Sequence, residues 1–203
     1  MKRVMCVGTV VVAMSVAPAF AQPPSASARP QTPAPQSGGA DERQTSASKM
    51  GSDQHFVMEA AKGGLAEVEL GKLAAEKASS EDVKKFGQRM VDDHGKANDE
   101  LKSLAQSKNI TLPTAPDSKD KAKMDRLSKL SGEAFDRAYM QEMVKDHKKD
   151  VNEFRTESKS GKDPEIKSWA SKTLPTLEEH LSMAESANKA VGTSGTVPKN
   201  PKK

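Results

Sequence analysis

Glu67, His94, His147 and His180 each stand as the one metal-competent side chain on the apolar face of a helix-forming segment. Burying a carboxylate or an imidazole is costly unless it finds a partner. Three protonated imidazoles in one layer repel, whereas three neutral ones and a carboxylate around a cation form a favourable set. Zinc suits such a set, as does iron or manganese with water completing the shell. Met90 and Met143 lie one turn before a histidine and Met183 one turn after His180, which would add sulfur donors suited to copper. Methionine at helical spacing is otherwise core filler. The rival reading is a metal-free polar layer, in which each histidine is satisfied by a carboxylate or carbonyl and the network sets helix register. On the sequence alone both stay open.

The argument for burial is angular. Advancing about 100° per residue, Phe56, Ala60, Gly64, Val68, Gly71 and Ala75 form an apolar arc that encloses Glu67. Val83, Phe86, Met90, Ala97, Leu101 and Leu104 surround His94, and Tyr139, Met143, Val144, Val151 and Phe154 surround His147. Ile166, Trp169, Leu177 and Ala184 share a face with His180. Measured from the two short turns between segments, the four residues reach depths that agree within roughly 5–7 Å at ~1.5 Å rise per residue, which predicts a single layer. Asp150, one turn beyond His147, is the carboxylate expected to hold a ligand from behind. Asp93, Asp146 and Glu179 each precede a histidine and point about 100° away, which makes them surface partners of lysines rather than ligands. His55 is expected to be solvated.

Four helices must carry these residues. The pattern predicts helix from about Asp53 to Ala78, from Ser79–Ser80 to about Lys108, from about Glu133 to Lys159, and from Asp163–Pro164 to about Lys189. Pro175 should kink the last of these or split it at Leu174. Asp117 to Leu130 forms a short extra helix in a long link. The expected fold is all-α: two antiparallel hairpins joined by a long crossover, a recognised four-helix-bundle topology. An internal echo supports paired halves: Phe86, Met90-Val91, Asp93-His94 recurs as Tyr139, Met143-Val144, Asp146-His147.

Residues 1–21 read as a cleavable secretion signal, with Lys2 and Arg3 before an apolar run and Ala19-Phe20-Ala21 before the cleavage point. The single cysteine, Cys6, leaves with it, so neither a disulfide nor thiolate chemistry is expected in the exported chain. Residues 22–52 read as a flexible Pro/Ser/Ala-rich linker, 53–190 as one helical domain, and 191–203 as a flexible basic tail. The expected location is the periplasm or cell envelope, with no membrane-spanning segment in the mature chain and at most a weak contact of the tails with an anionic surface. The net charge of +4 comes largely from the two ends, while acids and lysines alternate within the domain. With no basic stripe and few aromatics, nucleic acid is not an expected partner. No serine–histidine–acid set, phosphate loop or paired-carboxylate site stands out, so the expectation leans away from an enzyme. A metal-dependent redox enzyme of stress defence is the third reading.

The blocks Gly63-Gly64-Leu65-Ala66-Glu67-Val68-Glu69-Leu70-Gly71, Met90-Val91-Asp92-Asp93-His94, Ser131-Gly132-Glu133-Ala134-Phe135-Asp136 with Tyr139, and Leu174-Pro175 with Leu177 and His180 resemble a known family. This is the bacterial domain-of-unknown-function 4142 family, and the resemblance spans about Asp53 to Ala187. It implies an exported, ferritin-like four-helix bundle without an established activity. The di-iron centre common among ferritin-like proteins pairs glutamate with Glu-x-x-His. Here Val91, Val144 and Leu177 stand where those glutamates would be, so that centre is not carried over.

Overall fold

Lysine–acid alternation outside and small or aromatic residues inside leave these segments one stable solution, which is helix packed on helix. A computed structural model describes the backbone of residues 40–194 and the side chains of 51–193. It is all-α, with five helices and no strand among the described residues: α1 (Ala40–Lys77), α2 (Glu81–Ser107), α3 (Ser118–Ser128), α4 (Gly132–Ser160) and α5 (Pro164–Ser194). The secretion signal, the linker up to residue 39 and the tail beyond 194 lie outside the described residues.

Short turns at 78–80 and 161–163 fold α2 back on α1 and α5 back on α4, and these two pairs make the most extensive contacts. The pairs meet through α2 with α5 and α1 with α4, while the crossover helix α3 rests on α1 and α4. No helix among the described residues is long and apolar enough to cross a membrane.

Three features differ from expectation. α1 begins at Ala40, inside the stretch read as linker. From there to Gly51 the chain has neither proline nor glycine, and Ala, Glu, Arg and Gln sustain a helix by propensity without an apolar period. α5 runs unbroken through Pro175 rather than splitting at Leu174. Proline removes one backbone donor, and buried Trp169, Ala170 and Leu177 hold the helix on either side of it. The buried face of α1 is also rotated from the predicted arc. Val57, Ala61, Leu70 and Ala74 are buried, Val68 is half-buried and Ala75 is exposed, because α1 packs against α2, α4 and α3 at once.

Between α1 and α2 the backbones touch. A methyl group at Gly71 would strike the Gly87 carbonyl oxygen and come within 2.9 Å of Val91 Cγ2. Alanine is the better helix former by about 1 kcal/mol, yet Gly71→Ala should lower stability by roughly 1–3 kcal/mol through overpacking. A lower denaturant midpoint at unchanged slope is the expected readout.

The α4–α5 turn is tied to α1. Asp53, 2% exposed, accepts the Lys162 and Asp163 backbone N–H groups at 2.8 and 2.6 Å, and Asp163 caps α5 through the N–H groups of Glu165 and Ile166. Glu157 is buried beside this turn, its Oε1 without a hydrogen bond. Burial first, then the charges of Asp53 and Asp163, push its carboxyl up to about 7 from 4.5, against the pull of Lys167. The folded state therefore holds this proton more tightly than the unfolded state, and stability should fall as pH rises from about 4.5 to about 7. Water at the turn screens part of the effect, leaving on the order of 1 kcal/mol. Thermal melts across that window should show the decline, and Glu157→Gln should flatten it.

Candidate metal centre

The core is two apolar clusters with a polar layer between them. One contains Leu70, Met90, Met143 and Ala184 with Phe86, Phe135 and Tyr139, and the other Ala61, Leu101, Val151 and Leu177 with Phe56, Phe154 and Trp169. Each long helix passes from one cluster to the other, and at the crossing it presents Glu67, His94, His147 or His180. All four are buried, His147 and His180 at 0% exposure and Glu67 and His94 at 4% and 6%. The predicted layer is present, with one residue from each long helix. Met90 and Met143 are buried and Met183 half-buried in the first cluster, packed as filler. His55 is exposed.

The three imidazoles form a nearly equilateral triangle, with ring centroids 5.7 Å (His94–His147), 5.3 Å (His94–His180) and 5.4 Å (His147–His180) apart. One nitrogen of each lies within 4.8 Å of the others. Each ring also has one nitrogen engaged. His94 Nδ1 lies 3.0 Å from Glu67 Oε2, His147 Nδ1 is 2.9 Å from the Met143 carbonyl, and His180 Nε2 is 2.8 Å from Asp93 Oδ2. Carboxylate and carbonyl oxygens only accept, so each engaged nitrogen carries the proton. That leaves His94 Nε2, His147 Nε2 and His180 Nδ1 to offer lone pairs when the rings are neutral. All three atoms are buried without a hydrogen-bond partner, as is Glu67 Oε1, which lies 3.5 Å from His147 Nε2.

Charges follow the geometry. Burial alone would raise the Glu67 carboxyl, but His94, His147 and His180 around it bring it down to about 2. Burial opposes protonation of His94, and Glu67 more than offsets this, so that ring is raised. His180 is lowered to about 4, chiefly by burial and further by the other two histidines, with Asp93 pulling the other way. The layer thus contains a fixed negative charge and a ring held neutral at ordinary pH. Neutral imidazoles fixed from behind by carboxylate or carbonyl are how proteins prepare histidine for a metal.

Glu67 and the three histidines meet as expected, but Asp150 does not hold a ligand. It is half-buried beside Glu67, its contact is with Lys149 at 3.8 Å, and it makes no hydrogen bond to the three histidines. Burial first and then the charge of Glu67 push its carboxyl well above the usual range, so a second anion is disfavoured there. The carboxylate behind a histidine is instead Asp93, which α2 places against His180 of α5 while Arg89 holds it from the other side. Asp93 points away from His94 on its own helix, as the helical angle requires, and that same angle turns it into the α2–α5 seam. Asp146 pairs with a lysine as expected, Lys123 at 2.6 Å, whereas the partner of Glu179 is Arg89 at 3.1 Å.

Comparison with known proteins gives fold and family. The chain is similar to the structure of CopM in its Cu(I)-bound form, at 16% identity and a TM-score of 0.57, over 68% of this chain and 96% of that one. It is also similar to a secreted DUF305 protein from Streptomyces coelicolor, at 14% identity and a TM-score of 0.60, over 69% of this chain and 92% of the other. No curated protein matches it. The blocks around Glu67, His94, Tyr139 and His180 fall inside residues 37–187, which match the domain of unknown function DUF4142, and the chain belongs to that family.

Proposed function

We propose that this is an exported cell-envelope protein, a ferritin-like four-helix bundle that binds one copper ion through His94 Nε2, His147 Nε2 and His180 Nδ1. The observation that carries the reading is the buried triangle of imidazoles, one nitrogen of each within 4.8 Å of the others and each ring with one nitrogen engaged and the other buried without a partner. Leaving such groups unpaired costs about 1–3 kcal/mol each, and a cation removes that cost at once. Glu67 becomes the carboxylate that orients His94 and balances the charge of the ion, a narrower role than ligand. An all-imidazole set also suits zinc. Copper is preferred because a structure of similar fold is described in a Cu(I)-bound form. Export is supported by the signal-like start of the chain and by the secreted protein of similar fold.

The metal-free polar layer has its own support in the Glu67–His94 contact at 3.0 Å, which pairs one atom of each group without an ion. Metal analysis of untagged protein purified from the periplasm separates the two. The copper reading expects about one equivalent per chain. Less than about a tenth of an equivalent of any transition metal, with melting unchanged on adding copper or zinc, sinks it.

A further inference from the structure

The buried triangle reaches the surface on one side. Asp93, His94, Thr173, Thr176 and His180 line a groove of about 120 Å³ between α2 and α5, at one of the two less extensive seams between the hairpins. Two of the three histidines face this groove, and His147 lies behind them. A larger cleft of about 170 Å³, under α3, reaches Glu67 and Asp150 but none of the histidines, and its lining mixes six carboxylates with four lysines. A third space touches both Glu67 and His94 but has only about 30 Å³, room for one or two waters. A cation in the α3 cleft therefore meets carboxylates already paired with lysines and no imidazole nitrogen. In the α2–α5 groove it meets His94 and His180 directly.

Across that groove Lys172 of α5 pairs with Glu100 of α2 at 2.9 Å, with Lys172 68% exposed. Exposed pairs of this kind are weak and screened by salt, so the contact opens readily. Closed, it sets an ammonium group in the path of a cation.

We infer that the α2–α5 groove is the exchange route of the bound ion, with the Lys172–Glu100 pair as a latch across its mouth. The inference rests on the copper reading above. A bulky side chain at Thr176 narrows the groove from within, whereas Gly63 lines the α3 cleft at a position where an added methyl meets nothing within 4 Å.

The test is anaerobic Cu(I) transfer to and from bathocuproine disulfonate with the full chain. Thr176→Trp should slow loading and withdrawal by about tenfold or more with the final copper content unchanged, as a gate does. Lys172→Ala should speed both about two- to fivefold and remove most of their salt dependence. Gly63→Leu should match wild type. Lys172 is exposed, so its variant carries the test should Thr176→Trp not fold. Copper uptake with rates that respond to Gly63→Leu but not to Thr176→Trp or Lys172→Ala overturns the route alone. So do rates indifferent to all three. Failure of the wild type to take up copper overturns the metal reading and the route together.

Discussion

His147→Leu is expected to abolish metal-linked stabilisation. His147 is fully buried, Phe86 packs 6.2 Å from it ring to ring, and its Nε2 has no hydrogen-bond partner. Its Nδ1 bonds the Met143 carbonyl one turn back in its own helix, an oxygen with a second lone pair for the helix bond. Leucine removes an unsatisfied polar atom and adds apolar contact, but it also removes one of the three rings that hold the Glu67 carboxylate charged, so its effects on the apo fold oppose each other. Binding changes in one direction only. Losing an outer partner of a metal site typically costs about 10–100-fold in affinity, and losing one of three ligands should cost more. At a hundredfold excess over Kd the wild type gains about 2.7 kcal/mol from its ligand, and the variant should gain almost none. Melting curves with and without copper show both effects. An equal copper-induced shift in wild type and variant would exclude His147 as a ligand. A metal-free layer predicts no copper shift in either.

Asp136→Ala should be among the most destabilising single substitutions outside the site. Asp136 of α4 is 2% exposed and its carboxylate takes three hydrogen bonds from the α1–α2 turn: Ser79 N–H at 3.1 Å, Ser79 Oγ at 2.6 Å and Ser80 N–H at 2.9 Å. Ser80 occupies the N-cap position of α2 but makes no side-chain cap of its own. The turn is closed by a residue nearly sixty positions away, which fastens one hairpin to the other. Bonds to a charged acceptor contribute about 1.5–3 kcal/mol each and are not additive, so a total near 3–4 kcal/mol is expected. For a domain of this size that lowers Tm by roughly 6–14 °C. Ser80→Ala, which removes a hydroxyl that caps nothing, should cost less than about 0.5 kcal/mol. Equal losses from the two substitutions would reverse the assignment of the cap.

Much of the fold is local in origin and was legible. Asp163-Pro164 caps and starts α5, Asp117 caps α3 through two backbone N–H groups, and the four long helices appear near their expected places. Periodicity also located the polar layer, because a lone acid or histidine within an apolar arc has no choice but to be buried. Where that logic failed, the missing information lay on another helix. The α1 arc was rotated because three neighbours, not one, decide which of its small residues are covered. Gly71 and Gly87 show no signal individually, and their contact exists only once α1 and α2 cross there. Asp150 was favoured over Asp93 because spacing along one helix says which residues share a face and nothing about what that face meets.

The sequence by itself determined that Glu67, His94, His147 and His180 are buried and at one depth, since helical rise and turn are properties of the backbone. Only the tertiary structure decided what each ring does there. A histidine's free nitrogen is set by whatever holds the other one. Those holders are Glu67 for His94, Asp93 for His180 and a carbonyl for His147, and two of the three come from a different helix. Local periodicity places a side chain, but its proton and its open lone pair are fixed by contacts between helices, which no single segment of the chain contains.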